Sequence, residues 1–212
     1  MGIAAAASAT ALGGTVQLIG RVGEDPAGDA TLLALSALGI GHVATLRDAG
    51  RPTPVEPAGT DPDTRAETAD TIADALVDGG DGTAGTQDDR TSLRAGDPAT
   101  LDAEDVGLAL RYLDGYRVIV VAEQMAAAGL QAVADAAAFG GAQLVVIVAQ
   151  SGAAVPAPAP DGAVVIEAPL SDPEGLFAGT VGAFAVALDR GTDPAAALDG
   201  ALAAGGWERS TD

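Results

Sequence analysis

The later half of the sequence alternates short apolar runs with longer segments, and this alternation constrains the fold more than any other feature. Residues 117–122, 144–149 and 164–167 are strand-length and almost continuously apolar. Strands of this kind are buried on both faces, which is typical of parallel sheets covered by helices. Helical apolar spacing follows in the segments 126–139, 174–189 and 194–204. We therefore predict an α/β fold with an open, mostly parallel sheet and helices on both faces.

The first fifty residues repeat this pattern less regularly. An Ala-rich helix is predicted at 3–12, and the apolar run Val16–Ile19 predicts a strand. Gly20–Gly28 is predicted to be a loop, followed by a helix over 29–38. Val43–Leu46 is a possible second strand.

Composition sets the size of the domain and of its core. The chain has 212 residues, of which 48% are hydrophobic but only 3% aromatic. We expect one domain over 1–212, with a core of Ala, Val, Leu and Ile. Residues 48–95 are Pro-rich and then rich in Gly and Asp, so they are predicted to form a lid-like or irregular insertion.

Charge and residue usage exclude several classes of function. The chain has no Cys, so it has no thiolate nucleophile and no Cys-based metal site. A single His excludes a His-rich metal centre, and no metal is expected. The net charge of −20 argues against nucleic acid and against anionic membranes as partners. No apolar run is long enough to span a bilayer and no basic leader precedes the first helix, so we expect a cytoplasmic protein.

Two places could hold a ligand. In open α/β sheets, ligands bind at the carboxyl ends of the strands, where Glu123 and Glu167 are expected. Glu123 would accept hydrogen bonds from sugar or nucleoside hydroxyls, or would be a solvated strand end. The glycine-rich turn before the predicted helix at 29–38 either meets an anion or is a tight turn capped by Asp25 or Asp29.

The order of these motifs resembles the ribokinase-like (PfkB-type) carbohydrate kinase family. Residues 13–43, GGTVQLIGRVGEDPAGDATLLALSALGIGHV, are similar to its strand, GxVGxDxxG loop, helix and second strand. Arg51-Pro52-Thr53 resembles the family's RPT element, and residues 89–106 resemble its "ERT…GAN..L..EDV" stretch. VIVVAE at 118–123 resembles the strand whose Glu contacts the sugar.

This resemblance implies a set of site residues and partners. It implies that Glu123, Gly23 and Asp25 bind a small sugar or nucleoside. ATP and Mg²⁺ would be the cofactors of an active member. A lid-like segment over 51–94 would form a homodimer.

The departures from the family pattern alter the expected function. Two family Asn positions fall near Ala4 and Val148, and the family's first strand is missing. The catalytic GAGD motif, which supplies an anion hole and a general base, has no counterpart, so no catalytic residue is assigned. We expect a shortened, degenerate member without phosphotransferase activity, which binds a small hydroxylated ligand or serves as an interaction module. The alternative is an active ATP-dependent sugar or nucleoside kinase with Asp172 or Glu174 as a rebuilt base, although Ser171–Glu174 is typical of a helix cap.

Overall fold

The computed structural model describes residues 1–54, 101–149 and 160–205. These residues form six α-helices and five β-strands. The helices are α1 (Gly2–Ala11), α2 (Pro26–Ala37), α3 (Ala103–Arg111), α4 (Ala127–Gly140), α5 (Leu176–Asp189) and α6 (Pro194–Ala204). The strands are β1 (Gly20–Gly23), β2 (Thr45–Asp48), β3 (Val118–Val121), β4 (Gln143–Ala149) and β5 (Val164–Ala168).

All strand pairs in the described residues are parallel, and they form two open sheets. β1 pairs with β2, with Gly20 opposite Thr45. The second sheet has the order β3-β4-β5, and β4 lies in its centre. The predicted α/β fold with an open parallel arrangement is confirmed.

The three-stranded sheet is covered on both faces, as its continuous apolar strands indicate. Leu144 and Val146 of β4 pack against α3 and α4, where Val106 and Val133 are buried. Val145 and Ile147, which alternate with them, point to the opposite face and contact α1, α5 and α6. Since neighbouring residues of a strand face opposite sides, four consecutive apolar side chains are needed to fill both layers.

Helix α1 joins the two parts of the core. Ala5 packs with Phe177 and Val181 beneath the three-stranded sheet, whereas Ala6 packs with Leu35 and Ile40 next to the two-stranded sheet. The small side chains of α1 let it approach α5 closely. An Ala-rich, aromatic-poor sequence therefore builds its core from short distances between helix backbones.

The strand predicted at Val16–Ile19 is wrong, and so is most of the loop predicted over Gly20–Gly28, since Gly20–Gly23 is β1 and α2 already begins at Pro26. Val16–Ile19 contributes only an isolated bridge from Gln17 to Gly41, and the paired strand β1 comes directly after it. Val16 and Leu18 are apolar because they pack against the cluster of Ala6, Leu35 and Ile40. The second strand is also displaced, from 43–46 to Thr45–Asp48, because it pairs with the shifted β1.

Only the first residues of the predicted insertion belong to the described part of the chain. Asp48 ends β2, and residues 49–54 continue from it. The remainder of the insertion at 48–95, and of the lid-like segment at 51–94, lies outside the described residues. None of the helices in the described residues is both long and apolar enough to cross a bilayer.

Candidate functional site

Glu123 lies at the carboxyl edge of the three-stranded sheet, where the fold predicts a ligand. It comes two residues after the end of β3 and its side chain is exposed. A Cβ on Gly2 would lie 3.4 Å from the Cβ of Ala122, so the start of α1 lies beside the end of β3. Helix α4 begins four residues after Glu123, at Ala127. Glu123 is thus flanked by the beginnings of two helices.

Neither of these two helix starts has a side-chain cap, since neither Met1, before α1, nor Ala126, before α4, makes a side-chain cap hydrogen bond. The first amide groups of a helix lack intrahelical acceptors and are partly positive. The Glu123 carboxylate itself has no hydrogen bond or ion pair to any described residue. It is therefore available to accept hydrogen bonds from another molecule.

Glu167 has a similar position on β5, at the opposite side of the sheet from β3. It is the second-last residue of β5 and is exposed, whereas Ala168 beside it is buried. Its carboxylate also makes no hydrogen bond to the described residues. Glu167 differs from Glu123 in lying within a paired strand, with Val148 as its register partner.

Gly23 and Asp25, the other two predicted site residues, lie together at the turn from β1 to α2. Asp25 is the N-cap of α2, and its Oδ1 accepts a hydrogen bond from the Gly28 amide at 2.7 Å. Its Oδ2 accepts from the Thr53 amide at 2.7 Å, and the Thr53 hydroxyl donates to Oδ1 at 2.7 Å. The Thr53 hydroxyl in turn accepts from the Gly23 amide at 2.8 Å. We call Gly23, Asp25, Gly28 and Thr53 the turn cluster.

The two glycines of the turn cluster are required by close packing. A Cβ on Gly23 would lie 2.6 Å from the Arg51 carbonyl oxygen and 2.7 Å from the Thr53 nitrogen. A Cβ on Gly28 would collide with the carbonyl oxygen of Gly23. Both contacts are with backbone atoms, which cannot move aside as a flexible side chain can. The GxVGxDxxG spacing therefore has a structural reason in this chain.

The hydrogen bonds of the turn cluster stabilise the ionised form of Asp25. The Thr53 amide is the largest cause of the lowered pKa of this carboxyl, followed by the Gly28 amide and the Thr53 hydroxyl. Hydrogen bonds donated to a carboxylate favour its charged form. The cap of this strand-to-helix turn is Asp25 and not Asp29.

Sequence reasoning missed the role of Thr53 in this cluster. Arg51-Pro52-Thr53 was recognisable as a motif, but nothing in it indicates that Thr53 contacts a residue 28 positions earlier. In the described residues, no hydrogen bond or ion pair joins the turn cluster to Glu123. The structure therefore brings Gly23 and Asp25 together, and it shows no direct bond between either of them and Glu123.

Asp172, a candidate base of the kinase alternative, is bonded to the start of α5. Its Oδ1 accepts from the Phe177 amide at 3.1 Å and its Oδ2 from the Ala178 amide at 2.9 Å. Asp172 is followed by a turn in which Gly175, the N-cap of α5, has a φ of 68°. The helix predicted from residue 174 begins at Leu176 and has no carboxylate in its first turn, so Asp172 bonds its amides from three residues before the N-cap. Glu174, the other candidate base, is exposed in the turn.

An ion-pair group connects β1 to α3. The Arg21 guanidinium lies 2.7 Å from Asp105 and 3.5 Å from Asp48. Asp105 belongs to the capping box of α3, so it also accepts from the Asp102 amide. The Nε of Arg21 is buried without a hydrogen-bond partner in the structure.

A shallow apolar groove of about 310 Å³ lies elsewhere, between α5, α6 and the end of α1. Leu12, Val186 and Ala197 contribute to its walls, and Arg190 lies at its side. Neither Glu123 nor the turn cluster lines it. We base the candidate site on Glu123, because the groove has few polar groups to fix a hydroxylated ligand.

Comparisons with known proteins do not extend the assignment. No model of a known protein family matches the chain, and no curated protein matches it. Among the described residues, no group of three His, Cys, Asp or Glu side chains is arranged to hold a metal ion.

Proposed function

We propose that this chain is a degenerate ribokinase-like protein that binds a small hydroxylated ligand, such as a sugar or nucleoside, without transferring phosphate to it. The ligand binds at the carboxyl edge of the three-stranded sheet. Glu123 accepts hydrogen bonds from its hydroxyl groups. The protein works in the cytoplasm and, given its net charge of −20, has neither nucleic acid nor an anionic membrane as partner.

The observation that carries this proposal is the exposed carboxylate of Glu123. It follows β3, whose last residue Val121 is buried, at the edge where open α/β sheets bind ligands. It has no partner among the described residues, in contrast to Asp25 and Asp172, whose oxygens are occupied. A free carboxylate can accept two hydroxyl groups of a sugar at once, and such charge-assisted hydrogen bonds are the strong ones.

The absence of phosphoryl transfer is supported by the start of α5. A helix N-terminus can bind a phosphate only through free amide groups. At α5 the amides of Phe177 and Ala178 already donate to Asp172. With both oxygens held in this way, Asp172 is a poor general base, because its lone pairs are directed at the helix.

A thermal-shift assay tests the proposal on the full chain. The ligands are pentoses, hexoses and nucleosides, each measured with and without ATP and Mg²⁺. We expect Tm to rise with at least one ligand, because a ligand that binds only the folded state stabilises it. Glu123→Gln should abolish the rise, whereas the matched control Glu167→Gln should preserve it.

Two results would contradict the proposal. One is the absence of any Tm rise across the panel, and the other is a rise that Glu123→Gln leaves unchanged. Turnover in a coupled ATP assay would instead favour the kinase alternative. In that case Asp172→Ala would distinguish a rebuilt base, which requires the carboxylate, from a base elsewhere.

A further inference from the structure

The turn cluster holds two parts of the chain together that are distant in sequence. Asp25 belongs to the start of α2, and Thr53 comes five residues after the end of β2. Three hydrogen bonds cross this separation, each 2.7 or 2.8 Å long. The amide and the hydroxyl of Thr53 both donate to Asp25, and the Gly23 amide donates to the Thr53 hydroxyl. Thr53 uses its amide and its hydroxyl, so one residue makes all three.

We infer that Asp25 and Thr53 form a clasp that holds residues 51–54 against the end of β1 and the start of α2, and that this clasp opens without unfolding the three-stranded sheet. The clasp fixes the direction in which the chain leaves the two-stranded sheet after β2.

The hydrogen bonds of the clasp are local to one part of the molecule. All of its partners lie in residues 23–28 or at Thr53. The three-stranded sheet is held instead by buried side chains such as Val145 and Phe184. Asp25 and Thr53 are only partly buried, so water can reach the clasp. Segments held by a few solvent-accessible hydrogen bonds open more readily than a packed core.

Asp25 has two separable roles, one as the cap of α2 and one in the clasp. Oδ1 caps α2 through the Gly28 amide, whereas Oδ2 holds the Thr53 amide. An Asn at this position can still cap through its oxygen, because Asn and Asp are equally good N-caps. Its NH₂ group would, however, face the Thr53 N–H, and two donors cannot bond. Asp25→Asn therefore removes the bond from the Thr53 amide, whereas the cap and the bond from the Thr53 hydroxyl, which both use Oδ1, are kept.

Amide hydrogen exchange measured by NMR on the full chain tests this inference. In Asp25→Asn, the Thr53 amide should exchange about tenfold faster, as expected from the loss of one hydrogen bond to a charged group. The Gly28 amide should change much less, and the amides of Val145 and Val146 in β4 should not change. Asp102→Asn is the matched control, because Asp102 also caps a helix but has no contact with Thr53.

Variants of Thr53 test the other half of the clasp. Thr53→Val removes the hydroxyl at nearly constant shape, so the Gly23 amide should exchange about tenfold faster. Thr53→Ser keeps the hydroxyl and should restore the protection of Gly23. Equal acceleration of Thr53 and of β4 in Asp25→Asn would show global destabilisation and overturn the inference. So would a Thr53 amide that already exchanges freely in the wild-type chain, or one that responds equally to Asp102→Asn.

Discussion

The Arg21 guanidinium donates to Oδ1 of Asp105 at 2.8 Å, and the two residues are 84 positions apart in the sequence. This contact ties the two-stranded sheet to the first turn of α3. Because the Arg21 side chain is only 22% exposed and that of Asp105 only 14%, water screens the pair less than it screens a surface ion pair. We regard it as one of the polar links between the two parts of the core.

Arg21→Ala should destabilise the protein, because it leaves Asp105 and Asp48 without their shared cation. We expect a loss of about 2 kcal/mol in the free energy of unfolding, measured by urea denaturation. The control is Arg117→Ala, since Arg117 pairs with Asp189 at 3.3 Å on the exposed surface. That variant should cost less than about 0.5 kcal/mol. Equal losses in the two variants would contradict the assignment of Arg21 as a link.

Gly182→Ala should separate α1 from α5. A Cβ at Gly182 would lie 2.8 Å from the carbonyl oxygen of Ala5 and 2.9 Å from the backbone nitrogen of Ala9. Relief of these contacts requires a shift of a whole helix, so we expect destabilisation by about 1–3 kcal/mol in urea denaturation.

Gly179→Ala on the same helix is the matched control for that variant. There the nearest atom to a new Cβ is the Ser8 hydroxyl oxygen at 4.0 Å, which leaves room for a methyl group. Alanine favours the helix over glycine, so this variant should be neutral or more stable by up to about 1 kcal/mol. Destabilisation by Gly179→Ala equal to that by Gly182→Ala would show that the close approach is not the cause.

Much of this α/β architecture could be predicted from sequence, since apolar periodicity marks strands and helices that are buried. Helix α6 begins and ends where it was predicted, and β4 begins one residue earlier than predicted. β1 could not be predicted, because Gly20–Gly23 has little β-propensity and is a strand only through its pairing with β2. The contact between Asp25 and Thr53 was equally hidden, since a hydrogen bond between distant residues leaves no periodic signal.

Acid should weaken the turn cluster. The pKa of Asp25 in the folded protein is lowered from 3.8 by the Thr53 amide, the Gly28 amide and the Thr53 hydroxyl. The unfolded carboxyl therefore binds a proton at a higher pH than the folded one, and folding stability rises with pH in that range. The contribution of Asp25 to the free energy of unfolding is fully present above pH 3.8. It is lost as the pH falls through the lower pKa of Asp25 in the folded protein.

The variant Asp25→Asn isolates this effect from those of the other carboxyl groups. Urea denaturation of both proteins over a series of pH values gives the difference in the free energy of unfolding. We expect that difference to be constant near neutral pH and to shrink below 3.8, as the wild-type carboxyl becomes protonated. A difference that does not change with pH would contradict the lowered pKa.

Phe184→Ala should have the largest effect on stability among these variants. Phe184 is fully buried and packs with Val145, Leu188 and Ala197 at the centre of one sheet face. Removal of its ring leaves a cavity, with an expected cost of about 3–5 kcal/mol in urea denaturation.

Phe139→Ala is the control, because Phe139 on α4 is 96% exposed. Its substitution should change the free energy of unfolding by less than about 0.5 kcal/mol. Similar losses in the two Phe variants would contradict the placement of the core.

We propose above all that a hydroxylated ligand binds at Glu123. An NMR titration of the full chain with ribose and with adenosine tests it most directly, because amide chemical shifts report where a ligand lies. We predict saturable shift changes at residues 122–127, with none at the turn cluster, and their loss in Glu123→Gln but not in Glu167→Gln. Shift changes confined to the turn cluster or to the groove beside Arg190, or no saturable change with either compound, would contradict the claim.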